Sequence, residues 1–218
     1  MIVYEDEASF RQTPTLYRTW ARRGQQPQIP TRGERHTQKI LGAVSVPAGD
    51  FVWRHQTEYF NAQTYLAFVE GDLLPHYYRR RHRVFLIQDN ASDHQKPEVL
   101  EFFAKHPRQI QVFPLPPDSP DFNATERLWH YPRKHSTHNR YFDRPAALGQ
   151  SLFTTFTDIQ RHPGKIQGLL APVFQNLYVV LFIRGHVQWL LGYCGPARLH
   201  SMRAVICFPT RDAGSKII

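Results

Sequence analysis

The chain has 218 residues, 41% of them hydrophobic and 13% aromatic, enough for one core-bearing domain with an appendage and too apolar for a disordered polymer. Lys and Arg number 27 against 18 Asp and Glu, a formal charge of +9 with an isoelectric point near 9.8, which favours an anionic partner such as nucleic acid. Cys194 and Cys207 are the two cysteines, which argues against a disulfide framework or a structural zinc site and for a reducing, cytoplasmic setting.

No charged and apolar leader opens the sequence. Leu169 to Ile183, the most span-like stretch, is short and broken by Pro172, Gln175 and Asn176, so no membrane segment is expected.

In chain order, Met1 to Tyr4 reads as a short buried strand ended by acids. Residues 11 to 37, with Pro, Gly and Arg in no period, predict a long loop around Trp20 to Gly24. Gln38 to Val46 and Phe51 to Gln56 are β-rich runs joined by Pro47 to Asp50, the composition of a hairpin turn. Asn61 can cap a helix on which Tyr65, Leu66, Phe68, Val69, Leu73 and Leu74 recur at helical spacing. A basic connector, Arg79 to Arg83, leads into a strand over Val84 to Gln88. Pro97 to Lys105 predicts a helix, Ile110 to Phe113 a strand, and Asn123 to about Lys134 a helix that Pro132 distorts. That order predicts an α/β domain with a mixed sheet over residues 1–175, followed by a C-terminal tail, 176–218, with no clean period.

Three acids stand out. Asp6 and Asp89 each follow an apolar strand, and Glu126 opens an amphipathic helix, so three carboxylates can converge at one sheet edge. Hard divalent cations take such oxygen ligands, and a pair of them serves phosphodiester cleavage. Competing readings stay open: acids after strands are ordinary loop residues, and Asn123 to Glu126 has the spacing of a capping box that would occupy the glutamate. Asp118 and Asp121 are alternative third ligands, although turn residues by composition. Asn90, Asp93 and His94 could each ligate metal or solvent, but Asp93 is expected instead to cap the next helix and His94 to be a surface imidazole, while Glu5 and Glu7 should point to the strand face opposite Asp6, solvent-facing or structural. His130, His135 and His138 lack metal-site spacing. Arg22, Arg23, Arg79, Arg80 and Arg81 are candidates for a phosphate backbone, against the alternative of solvated loops.

Taken together, four segments resemble the insertion-sequence branch of the mariner-type transposases, in the DDE superfamily. Tyr4 to Phe10 is similar to its first-acid motif, Arg18 to Pro27 to its Trp and Gly loop, Gln88 to His94 to its second-acid motif and Leu115 to Trp129 to its third. The resemblance covers about residues 1 to 145 and implies a ribonuclease H-like fold with a mixed five-stranded sheet flanked by helices. It also implies catalytic, metal-holding Asp6, Asp89 and Glu126, two Mg²⁺ with Mn²⁺ as a substitute, and double-stranded DNA, both transposon ends and target, as substrate. A homodimer or synaptic oligomer follows by the same analogy. Ala124 and Thr125 replace the family's Pro and Ile, and Tyr131 and Pro132 interrupt a helix that the family continues. Family members carry end-binding helix-turn-helix modules ahead of the first acid, so a frameshifted second reading frame, a decayed copy or a fragment is expected here. Two rival functions remain: a non-catalytic DNA-binding remnant and a general ribonuclease H-like nuclease.

Overall fold

The computed structural model describes residues 1–31, 33, 35–57, 59–78, 82–116 and 122–171, with the backbone alone for 172–174, 179–183, 186–190 and 203–206. A 5-stranded sheet in the order β3-β2-β1-β4-β5 is built from β1 (Ile2–Arg11), β2 (Thr37–Val46), β3 (Phe51–Gln56), β4 (Val84–Gln88) and β5 (Ile110–Pro114). β1 is antiparallel to β2 and β2 to β3, whereas β1, β4 and β5 run parallel. The predicted mixed sheet is present.

The hairpin between β2 and β3 closes where its composition placed it. Ser45 N–H donates to the Asp50 carbonyl at 2.8 Å and Gly49 N–H to the Ser45 carbonyl at 2.9 Å. Gly49 takes φ 75°, a left-handed conformation open to glycine.

β1 corrects one expectation. The acids after Tyr4 do not end the strand, because β2 pairs with it from Ile2↔Val46 to Arg11↔Thr37 and satisfies its backbone across Glu5, Asp6 and Glu7. Asp6 therefore lies within β1, opposite Gly42, instead of at its end. Parallel pairing to β4 stops earlier, at Tyr4↔Ile87, so Asp6 lies two residues past the last pair on β1 and Asp89 two past it on β4.

The two faces of β1 meet different layers. Val3 joins a core with Leu41, Ala43, Tyr65, Phe68, Leu86 and Val99, under α1 (Ala62–Phe68), α2 (Leu74–Tyr77) and α3 (Pro97–Lys105). Asn61 caps α1 as expected: its side chain accepts the Thr64 N–H at 2.9 Å, and Thr64 Oγ1 accepts the Asn61 N–H at 3.0 Å. The helix then passes through a π-helical turn at Val69–Leu73 into α2.

The opposite face is covered by α4 (Ala124–Pro132) and α5 (Pro145–Gln160). Here Trp129 is buried edge-on among Phe10, Phe51 and Phe156, with ring centroids at 6.4, 6.2 and 6.1 Å. Pro132 distorts α4 as predicted: a wider turn, Arg133–Thr137, follows it.

Between β1 and β2 the chain is held by Asn139, itself at φ 56°. Asn139 accepts the Tyr17 N–H and donates to the Tyr17 carbonyl, both at 2.8 Å, and Tyr17 stacks on His138 at 4.8 Å.

The chain separates into two compact units, Met1–Leu169 and Leu170–Ile218. α6 (Pro163–Phe174) follows α5, and in the second unit β6 (Val179–Ile183) pairs antiparallel with β7 (His186–Leu190) and with β8 (Arg203–Ile206). Cys194 and Cys207 lie outside the described residues. Among the described residues no helix is long and apolar enough to cross a membrane.

Candidate active site

Asp6 is the best-anchored acid. Its Oδ2 accepts the Trp129 Nε1–H at 3.0 Å and lies 3.1 Å from Thr125 Oγ1, both from α4. The single Thr125 hydroxyl proton is shared with Asn123 Oδ1, 2.5 Å away. Thr125 and Trp129 are four residues apart and so lie on one helix face, which brings the first turn of α4, with Glu126, to β1. Gly42, across from Asp6, leaves the space that the indole fills: a side chain there would run into Trp129 and meet Phe51 at 3.1 Å.

The capping-box alternative for Glu126 is not what forms. Asn123 caps α4 by accepting the Thr125 N–H at 3.2 Å, and Glu126 contributes its own N–H to the Asn123 carbonyl at 3.2 Å. Among the described residues the Glu126 carboxylate makes no bond back to the cap.

Asp89 follows β4 directly, its side chain 52% exposed. Its Oδ1 accepts the Ala91 N–H at 2.9 Å and lies 3.1 Å from His94 Nδ1. Asn90 donates to the Leu115 carbonyl, and Leu115 N–H donates to the Gln88 carbonyl at 2.8 Å, so the segments after β4 and β5 are tied together.

The electrostatics connect the three acids. Burial pushes the Asp6 carboxyl up to about 6; the Trp129 N–H pulls it back, and the charges of Glu126 and Asp89 raise it again. The hydrogen bond from His94 holds Asp89 below its ordinary value against a smaller opposing effect of burial. Among the described residues no three His, Cys, Asp or Glu side chains converge as a closed metal site.

Two expectations near Asp89 are corrected. His94 is not a surface imidazole: its side chain is 2% exposed, with its ring 4.3 Å from that of Tyr65, because the short 3₁₀ turn Ser92–Gln95 folds it under the sheet edge. Burial alone would lower this imidazole, but the Asp89 hydrogen bond and the charges of Glu5 and Asp89 hold it up to about 9. Asp93 does not cap α3, whose N-cap position is Lys96 with no side-chain cap bond.

Glu5 and Glu7 do face away from Asp6, yet Glu5 is 0% exposed rather than solvated, with both carboxylate oxygens lacking a hydrogen-bond partner. Burial drives its carboxyl well above the usual range, against the pull of His94. Burial likewise raises Glu7, to about 7.

Arg22 and Arg23 are exposed in the loop after fully exposed Trp20. Arg79, Arg80, Arg81, Asp118 and Asp121 lie outside the described residues. Sequence reasoning missed Trp129, Thr125, Gly42 and His94 as supports of the acids. The Thr125–Trp129 spacing on the helix whose first turn carries Glu126 was the available signal for two of them.

The sheet order, its parallel β1-β4-β5 half and the helices on both faces define a ribonuclease H-like fold. The sequence profile of the DDE superfamily endonuclease family matches residues 1–148, so the chain belongs to that family. An insertion element IS630 uncharacterized 39 kDa protein from Shigella sonnei is 29% identical over 129 residues, 59% of this chain. The chain spans 36% of that relative's length.

Among solved structures, the catalytic domain of Mos1 mariner transposase matches with a TM-score of 0.52 at 18% identity, over 79% of each chain. A pre-cleavage Mos1 transpososome matches with a TM-score of 0.55 at 20% identity, over 79% of this chain and 54% of that one. The Mos1 mariner paired end complex with Mn matches with a TM-score of 0.54 at 20% identity, over 78% of this chain and 53% of that one.

Proposed function

We propose that the chain is the catalytic domain of a DDE transposase in which Asp6, Asp89 and Glu126 hold two Mg²⁺ ions, or Mn²⁺ in their place, for DNA strand cleavage and strand transfer. The observation that carries this reading is the tether of α4 to Asp6 through Trp129 and Thr125, which brings the turn bearing Glu126 to the strand next to the one that delivers Asp89.

The donor set fits the metal. All three candidate ligands are carboxylates, as a hard dication prefers, and a carboxyl raised to about 6 by burial and two neighbouring acids is one that a cation would return to its ionised form. Bound there, the ions supply positive charge to the attacking and leaving oxygens of a phosphodiester. The chain's own residues fix the geometry. Trp129 keeps the inner side of Asp6 dry and holds Oδ2, Thr125 lies against the same oxygen, and Ala91 N–H holds Asp89 from its own loop.

Double-stranded DNA, both element ends and target, is the substrate in this reading, handled in the cytoplasm by a homodimer or synaptic oligomer. Support comes from the formal charge of +9, from the exposed Arg22 and Arg23, and from the paired end complex and transpososome that Mos1 forms. Arg79, Arg80 and Arg81 belong to the same proposed backbone contact.

The test is a calorimetric Mn²⁺ titration, with plasmid nicking alongside, on the unaltered chain and on Asp6→Asn, Asp89→Asn and Glu126→Gln. Loss of both signals in each variant supports the assignment. A folded unaltered chain that binds DNA but no Mn²⁺ overturns it in favour of a non-catalytic binder, and preference for RNA–DNA hybrid over DNA duplex makes it a general nuclease.

A further inference from the structure

His94 sits where a support for Asp89 would have to sit. Its ring packs on Tyr65 at 4.3 Å, the Tyr65 hydroxyl donates to Gln88 Oε1, and Gln88 immediately precedes Asp89, so the imidazole is wedged against the strand that carries the acid. From there Nδ1 lies 3.1 Å from Asp89 Oδ1 and 3.4 Å from the Asp89 carbonyl oxygen. The other nitrogen, Nε2, is buried without a hydrogen-bond partner. A ring whose one engaged nitrogen touches both the side chain and the backbone of a single acid fixes that acid in two places.

We propose that His94 is a positioning residue for Asp89, its Nδ1–H donated to the carboxylate so that the second acid is held in one orientation ahead of the cation. The idea rests on the reading of Asp89 as a metal ligand. The chemistry is that of an outer-sphere partner, which orients a ligating carboxylate and whose loss costs about 10- to 100-fold in metal affinity. Asp89 is half exposed, so without this bond only the Ala91 N–H, from its own loop, would hold the side chain against turning toward solvent.

The choice of nitrogen gives a sharp test. An asparagine at position 94 places its amide N–H where Nδ1 is, whereas a glutamine places its own where Nε2 is. In calorimetric Mn²⁺ titrations, His94→Asn is expected to stay within about threefold of the unaltered chain, and His94→Gln to weaken binding about tenfold or more. Equal affinity of His94→Gln and the unaltered chain, or equal loss in both variants, overturns the proposal.

An imidazole ¹⁵N spectrum of the unaltered chain and of Asp89→Asn gives a readout that needs neither metal nor a folded His94 variant. Nδ1 is expected to carry a proton whose resonance moves in Asp89→Asn; a proton on Nε2 alone overturns the proposal. Absence of Mn²⁺ binding in the unaltered chain together with a moving Nδ1 resonance counts against the metal-site reading while leaving the His94–Asp89 tether standing.

Discussion

Trp129 donates its indole N–H to Asp6 Oδ2 across 3.0 Å, from a helix more than a hundred residues further along the chain. The contact joins a core packing residue to a candidate ligand, so the aromatic cluster of Phe10, Phe51 and Phe156 around the indole also sets where one carboxylate points.

Trp129→Phe keeps most of the ring and removes the donor. A bond to an ionisable group with a modest loss of volume predicts about 2–3 kcal/mol of destabilisation in urea unfolding. Mn²⁺ affinity is expected to fall by about tenfold in the same variant. Unchanged affinity in a destabilised Trp129→Phe would confine the indole to a packing role.

Gly42→Ala tests the same relationship from the opposite strand. Its Cβ would run into the indole, and neither Trp129 nor Phe51 has room to retreat within the cluster. Overpacking of this kind costs about 1–3 kcal/mol, to be read as a lowered urea midpoint with an unchanged slope. A variant as stable as the parent would mean that the indole can move away from β2.

Asp6 should make stability depend on pH in metal-free buffer. Its carboxyl titrates at about 6 in the fold against an ordinary 3.8, so the folded chain binds that proton more tightly than the unfolded chain. Stability from this group is full below about pH 4 and is lost as the pH rises through about 6. Asp6→Asn keeps an acceptor for Trp129 and carries no charge. It is expected to exceed the parent by about 2–3 kcal/mol near pH 8 and to match it near pH 4. The same difference at both pH values would show that the charge is not the cause.

Asn139→Ala should loosen the segment after β1. The substitution removes both bonds to Tyr17 and leaves an alanine at φ 56°, where a Cβ is strained. Trypsin is expected to cut faster at Arg18, Arg22 and Arg23, while global stability falls by about 1–2 kcal/mol. Cleavage at the parental rate would mean that the Tyr17–His138 stack and the backbone contacts of Thr15 with His138 and Asn139 hold the segment without the Asn139 side chain.

The sequence by itself determined the elements with a local signature. Val84–Gln88 and Pro97–Lys105 form over the predicted spans, since an apolar run bounded by polar residues and a proline-started amphipathic stretch each encode their own limits. The hairpin strands Thr37–Val46 and Phe51–Gln56 follow from the turn between them. The four motifs point to the family, because their order and spacing are themselves a linear pattern.

Only the tertiary structure decided what lies next to what. β1 extends through three acids because β2 pairs with it along its whole length, which no property of residues 5 to 7 encodes. Glu5 and His94 look like surface residues in the sequence and are buried, because the α1 and α3 layer covers that face of β1. The hold on Asp6 depends on Trp129, Thr125 and Gly42, brought from α4 and β2 by packing. Burial and hydrogen bonding of a polar side chain are set by neighbours distant in sequence, and local propensity carries no information about them.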